Sequence, residues 1–490
     1  MKIFLRSVSA LLLLVIFLGA VTVIAADTQK VTKDVYRYPG AIELDEEGIY
    51  SDFADALKGT GKETGSIANH GGGQTRMVYT KSGVYFALFT KVEDDDLIGI
   101  SLIHINDEGG GDLVYDTVQP YRAGGPMVSV MADEEGNVWM YSGWEDAERR
   151  DGHYFWDFNA WKYDPTTGET TLYAESRFYK NTSSLCYSGG GYSSCSIDLP
   201  NHRIFAIVNC GEKPGYMEWA TFDMDTCTWS EMHSAKLDYR YCYTFIVPDG
   251  TGGVHLFNLR DVKTDMIKTD FGKSVSSTAR NTHTSWYDNN MLFDEWDYFH
   301  IPDVNADTVE RQTAVEPAFY DYMHGIYPQY GANSSDIYMD SHGYLHFIFE
   351  ANEAVSYGDR SVHVVYDVRD GKFEEVFRQH ITFAASNHCA YFCRCYEDLE
   401  GNFYVACIRA GGSHIEVEVY GSDDPTKEVK FLYGENAIEK DVEASGVGGT
   451  ALSSSRNGGI MDDKMYIGLC SDSWFCFSID FAKLRAFLAR

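Results

Sequence analysis

The stretch VSVMADEEGNVWMYSGW, residues 128–144, reads as a hairpin: two runs with apolar side chains at alternate positions flank an acidic turn containing Gly136 and Asn137. Alternation of period two marks a strand with one buried face, and Asp, Gly and Asn between two such runs mark the reversal. The same signature recurs at 78–90, 194–209, 243–259, 336–350, 394–408 and 459–470. Each copy is followed by a second strand–turn–strand. These second hairpins lie at 99–115 around NDEGGG, 160–172 around DPTTGE, 220–231 around DMDTC and 298–311 around PDVNAD. They continue at 362–377 around VRDGK, 415–432 around SDDPTKE and 475–488 around DFAK. Two hairpins build one four-stranded antiparallel sheet. A lone sheet of this kind cannot bury both faces, so seven in series must stack around an axis. The expectation is an all-β chain: a seven-bladed β-propeller of four-stranded antiparallel blades.

A length of 490 residues admits two or three ordinary domains, but a repeat array can be one, each blade supplying its share of core. The turn glycines Gly83, Gly136, Gly253, Gly343 and Gly401 are spaced by roughly a blade, except that the interval from Gly253 to Gly343 is much longer. This places a long insertion at 260–297 in blade four. Aromatics at 14% and 45 glycines are the vocabulary of strands and turns. A formal charge of −33 excludes nucleic acid, whose phosphates need a basic footprint. An anionic ligand would need arginines gathered locally against that field.

Lys2 and Arg6 precede an uncharged, largely aliphatic run at 10–25 that ends in small residues. This reads as a secretory signal peptide over 1–25, with an uncleaved signal anchor as the alternative, so the mature chain is expected to be secreted and extracellular, without membrane attachment after cleavage. Residues 26–68 form a preamble, in which the stretch around 35–49 adds an outer strand or plugs one face. The propeller occupies 69–490, and a monomer is expected. Of the 11 cysteines, Cys195 and Cys210, Cys395 and Cys407, and Cys470 and Cys476 flank hairpin turns, in disulfide reach if directly opposed. Buried thiols are the equal alternative. Cys389, Cys393 and Cys395 beside His388 lack the spacing of structural zinc sites.

In such blades the short turns share one face, and the long connections must emerge on the other. Those connections are rich in rings and cations. GWEDAERRDGHYFWDFNAW (143–161) carries Arg149, Arg150, His153, Tyr154 and Trp156, and the insertion ends with His283, Trp286, Trp296 and His300. The loops entering the inner strands read NHGGGQTR, YRAGGP, YSGGGY, YRYCY, YPQYGANSSD and SNHCAY. Long aromatic loops converging on one face make a concave binding site the default expectation. His70, Tyr187, Tyr239, Arg240, Tyr330 and His388 are the candidate catalytic residues there. Arg122, Arg150, His153, Trp156, Trp286 and Asn333 are the candidate substrate-binding residues.

Hairpins such as MADEEGNVWMYSGW and MDSHGYLHFIFEAN, with the leader and the blade count, resemble secreted propellers with BNR-type or sialidase-like repeats, a group that includes glycosidases and polysaccharide lyases. A true Asp box is absent: FDMDTCTW (222–229) keeps the final Trp but lacks the Asp and Gly offsets, and QTRMVY keeps only the arginine of an opening triplet. The resemblance implies a carbohydrate partner, in particular an anionic polysaccharide or sialoglycan. For a sialidase it implies an arginine cluster, with Arg76, Arg122, Arg240 and Arg394 available, and a Tyr nucleophile. For a lyase it implies a Tyr or His base beside an arginine that holds the sugar carboxylate. Two classes stay open: a glycan-processing enzyme, and a non-catalytic propeller that grips sugar or protein through its Trp and Tyr rim. No cofactor is required by either. Calcium is a further option at Asp94-Asp95-Asp96 and Glu145-Asp146, though the liganding spacing of a calcium loop is missing.

Overall fold

The computed structural model describes residues 49–50, 75–90, 92–93, 97–105, 111–120, 127–145, 155–179, 193–210, 215–263, 291–316, 330–351, 360–381, 392–411, 414–439, 449–452, 457–459, 464–470 and 474–490. Among these residues the strands assemble into seven antiparallel sheets. Blade one runs through Met77–Thr80, Gly83–Thr90, Leu97–Ile105 and Gly111–Pro120, and blade two through Met127–Ala132, Val138–Glu145, Phe155–Asp164 and Glu169–Tyr179. Blade three comprises Ser193–Asp198, Arg203–Cys210, Gly215–Asp223 and an outer strand in two pieces, Thr228–Trp229 and His233–Leu237. Both pieces pair with Gly215–Asp223, so a bulge breaks one outer strand rather than adding a fifth. Blade four is Arg240–Pro248, Val254–Lys263, Met291–Ile301 and Glu310–Glu316. Blade five is Tyr330–Met339, Tyr344–Ala351, Arg360–Asp367 and Glu374–Ile381, and blade six is Phe392–Glu397, Phe403–Gly411, His414–Ser422 and Lys430–Glu439.

Blade seven corrects the sequence reading in two places. Its inner strand is Gly449–Leu452, paired to Lys464–Cys470, rather than a strand beginning at Gly459. Its third strand, Trp474–Asp480, is followed by a helix, α1 (Phe481–Leu488), where the DFAK segment was expected to turn into a fourth strand. Asp480 caps α1, accepting hydrogen bonds from the Ala482 and Lys483 amides, and Phe481 and Leu484 bury one face against Tyr404, Met465 and Ile479. The outer strand is supplied from the stretch around 35–49, the first of the two roles expected for it: Ile49–Tyr50 pair with Phe477 and Cys476. The ring is therefore closed by strands from both ends, one of them from the preamble.

Successive inner strands lie side by side from blade one to blade seven, and Gly449–Leu452 returns to Met77–Thr80. Each gap between blades is filled by side chains from both neighbours. Phe257 of blade four stacks on Phe347 of blade five at 4.0 Å, and Trp139 of blade two meets Phe222 of blade three at 5.6 Å. At the last gap Tyr79 lies 4.4 Å from Tyr466, and Asn457 Nδ2 donates to the carbonyls of Met77 and Val130.

Five blades end the inner strand on an aspartate that organises the turn. Asp133 accepts from Asn137 and from Trp139 Nε1, and Asp340 from the amides of His342 and Tyr344. Asp398 accepts from Asn402, Tyr404 Oη and Arg485. Asp198 and Asp249 do the same for their own turns. Gly136, Gly343 and Gly401 then adopt φ of +92°, +83° and +81°, which admits glycine without strain. In blade four that conformation falls on Gly250 and Gly252 rather than on Gly253.

The observed register also revises the cysteine pairs. Cys195 lies opposite Ala206, Cys395 opposite Val405, and Cys470 opposite Trp474, so none of the three expected pairs is directly opposed.

Three histidines are sealed inside the blades. Asp340 Oδ2 accepts from His346 Nε2, whose Nδ1 faces His363 Nε2 at 3.0 Å, and both rings stack on Phe403. His255 contacts Tyr298 Oη at 2.7 Å. Burial holds all three below the ordinary imidazole range; His255, pushed down further by neighbouring His300, falls to about 3. Below about pH 6.5 the unfolded chain then binds protons that the folded chain refuses, so stability is lost as pH falls. For His255 alone the loss at about pH 5 is roughly 2 kcal/mol. Thermal melts should show Tm dropping between about pH 7 and pH 5, above the range where carboxylates titrate, and His363→Phe should flatten the slope. A level Tm across that window would contradict the account.

Candidate functional site

Antiparallel topology puts three strand ends of blade four on the loop-rich face. Arg240–Pro248 starts there, Val254–Lys263 ends there, and Met291–Ile301 begins there. The connection expected at 260–297 is thus only 264–290; its flanks are strand, and Trp296 and His300 leave the loop. Trp296 is core, and His300 Nε2 lies 3.1 Å from Asp249 at the short-turn face.

Register then pairs charges on each face of blade four. Arg240 opposes Asp261, Tyr241 opposes Arg260, Arg260 opposes Glu295, and Asn258 opposes Asp297. Arg240 Nε lies 3.4 Å from Asp261 Oδ2, and Arg260 Nη1 donates to Glu295 Oε1 at 2.7 Å. Tyr241 Oη donates to Asp297 Oδ2. The Arg260 guanidinium also sits over the Tyr239 ring at 5.4 Å. Asp261 is 3% exposed and Asp297 fully buried, while Glu295, Arg240 and Arg260 retain between 6% and 8%. Below this layer, Asn209 of blade three donates to Thr244 and Asn258 of blade four at 2.6 and 3.0 Å, tying the two blades beneath the charges. The thiol of Cys242 is pushed up by burial and then by Asp261, so it stays protonated and is no nucleophile here.

Successive strand residues point to opposite faces, so Tyr241, Arg260, Glu295 and Asp297 share the face toward blade three, where Tyr241 is buried edge-on against Phe299, while Arg240 and Asp261 share the face toward blade five. A phenol with an adjacent carboxylate can pass its proton inward as its oxygen reacts, and the Arg260 guanidinium can steady developing negative charge.

Tyr239 and Arg240 stand at this rim. Tyr330 and Asn333 lie on the inner strand of blade five, and Trp156 near the start of the third strand of blade two, each on the same face; only their backbone is described. His70, Tyr187, His388, Arg122, Arg150, His153 and Trp286 lie outside the described residues, as do Asp94, Asp95, Asp96 and Asp146. Arg76 lies over the Phe89 ring at 4.5 Å, and Arg394 Nη1 donates to the carbonyls of Ser335 and Cys393. These contacts bind Arg76 to blade one and Arg394 to blades five and six. Arg260, Asp261, Glu295, Asp297 and Tyr241 were not anticipated as functional. The available signal was the continued alternation of VHLFNLRDVK, which carries the second strand through Arg260 and Asp261. No group of three or more His, Cys, Asp or Glu side chains among the described residues is arranged to hold a metal ion.

No protein-family model matches the sequence, and no curated protein matches it. Among solved structures, the polysaccharide lyase Uly1 is 12% identical over 85% of this chain and 91% of its own, with a TM-score of 0.46. The β-propeller domain of the Trilobed protease from Pyrococcus furiosus, described as having an open velcro topology, is 9% identical over 85% and 98%, with a TM-score of 0.39. The Penicillium chrysogenum α-L-arabinanase, solved with arabinobiose, is 8% identical over 72% and 94%, with a TM-score of 0.40. The architecture described above rests on the chain's own sheet order and ring contacts.

Removing one partner of a buried ion pair strands the other, whereas replacing both with apolar side chains does not. Glu295→Ala is expected to cost about 3–5 kcal/mol in denaturant unfolding, and Arg260→Met with Glu295→Leu to recover most of it. Equal stability of the single variant and the native chain would show the pair to be solvated.

Proposed function

We propose that this chain is a glycan-processing propeller acting at the loop-rich rim of blade four, with an acidic polysaccharide or sialoglycan as substrate. The observation that carries the reading is the Tyr241–Asp297 hydrogen bond, on the same face as the Arg260–Glu295 pair where the longest connection emerges. In the lyase version Tyr241 oxygen removes the proton beside the sugar carboxylate while its own proton passes to Asp297. The electron pair forms a carbon–carbon double bond and the glycosidic oxygen departs, taking a proton from solvent and leaving an unsaturated sugar. In the hydrolase version the same oxygen, its proton passed to Asp297, attacks the anomeric carbon as the glycosidic bond breaks and the leaving oxygen takes a proton from solvent, and water later displaces the tyrosine oxygen. Arg260, on the same face as Tyr241, meets the substrate carboxylate in either version. The amino-terminal leader supports a place of action outside the cell.

Incubation with uronate-rich polymers, followed by absorbance of the unsaturated product, tests the lyase version, and a fluorogenic sialoside tests the hydrolase version. Tyr241→Phe should lower kcat by about 100-fold or more with little change in KM. Glu295→Gln should lower KM for an anionic substrate by releasing Arg260. Silence of the native chain on both substrate classes, with retained binding on a glycan array, would move the assignment to a recognition propeller.

A further inference from the structure

We propose that Cys393 and Cys407 are a disulfide-forming pair that staples the inner hairpin of blade six. The two residues are direct register partners on Phe392–Glu397 and Phe403–Gly411, and their sulfurs lie 3.5 Å apart with both side chains buried. Directly opposed strand positions place Cβ atoms about 4.5–5.5 Å apart, close to the roughly 3.5–4.5 Å a disulfide adopts. A small rotation of each side chain brings the sulfurs from contact to bonding distance, about 2.05 Å. The third thiol on this face, Cys395, opposes Val405 and stands diagonally to Cys407, where no such rotation suffices. Ser361 Oγ lies 3.6 Å from Cys393 Sγ, so the pair sits in the seam between blades five and six, next to the His346–His363 stack on Phe403.

The chemistry needs an external disulfide as oxidant. One cysteine loses its proton and its sulfur attacks the oxidant, forming a mixed disulfide and expelling one thiol. The second cysteine loses its proton and displaces the other half as a second thiol. Two protein thiols are oxidised and one disulfide is reduced to two thiols. Once the blade is closed neither sulfur reaches solvent, and burial followed by Cys393 raises the Cys407 thiol, so exchange belongs to folding rather than to the finished molecule.

The full chain is refolded with glutathione disulfide, alkylated under denaturing conditions without reductant, and digested with trypsin. Cleavage after Arg378, Arg394 and Arg409 separates Cys393 from Cys407 and leaves Cys395 with Cys407 on one peptide. The expected product is a cross-linked pair of peptides, 379–394 with 395–409, lighter than the two reduced peptides by two hydrogens, its fragment ions placing the bond on Cys393 and Cys407. The oxidised protein should melt several degrees above the same protein refolded with reductant, and Cys407→Val should remove that difference while the reduced melts stay similar. Alkylation of both thiols after oxidative refolding overturns the proposal. A loop within 395–409, or a bond from Cys389, overturns it equally.

Discussion

The structure depends on the need of every blade for a neighbour on both sides. A twisted four-stranded sheet presents two apolar faces, and in this chain both are lined with Trp, Tyr and Phe. Only a closed ring covers fourteen such faces at once. Among the described residues, the seam between blades seven and one holds the Tyr79–Tyr466 contact and Asn457 reaching two backbone carbonyls. Gly458 sits so close to Ala132 that a Cβ there would lie 1.9 Å from its carbonyl oxygen, so backbone meets backbone where no side chain fits.

Within each blade, register decides which side chains meet the neighbour, since a slip of one residue would turn every one of them to the wrong face. The turn aspartates are what resist that slip. Asp398 binds turn amides, the amide of Asn402, the phenol of Tyr404 on the second strand, and Arg485 from α1. One buried carboxylate thus joins the end of a strand, the start of the next and the terminal helix. Asp340 extends the same logic through His346 to His363 and so into the packing against blade six.

The hairpins were legible because alternation and turn chemistry are local. Blade seven was legible only in part: the stretch around 35–49 offered an outer strand, but no local pattern tied Ile49–Tyr50 to a partner so far off in sequence. The helical spacing of Phe481, Leu484 and Leu488 behind an Asp480 cap was present in the sequence, but an expected fourth strand took precedence over it. Cys395 and Cys407 are symmetric about Gly401, yet the turn pivots nearer residue 400, and that offset exchanges Cys395 for Cys393. At the rim, Tyr239 and Arg240 were legible as a ring and a cation ahead of a strand. Arg260, Asp261, Glu295 and Asp297 were hidden because charges at strand ends read as loop.

Charge balance at that rim constrains what it can bind. Apolar side chains of similar volume would fill the space without the cost of desolvating ions, so stability alone does not call for two arginines and three carboxylates there. Each arginine already has a carboxylate, and an incoming anion gains a guanidinium only by displacing one. Asp261, at 3% exposure, has no solvent to turn into. Glu295 retains 8% and stands beside the start of the third strand, where the connection 264–290 ends. Exchanging one carboxylate for another on Arg260 changes the local charge little, provided the displaced group rehydrates, and of the two only Glu295 has that route. The Arg260–Glu295 pair is therefore the one that can open to a substrate, on the face of blade four that also carries Tyr241 and Asp297.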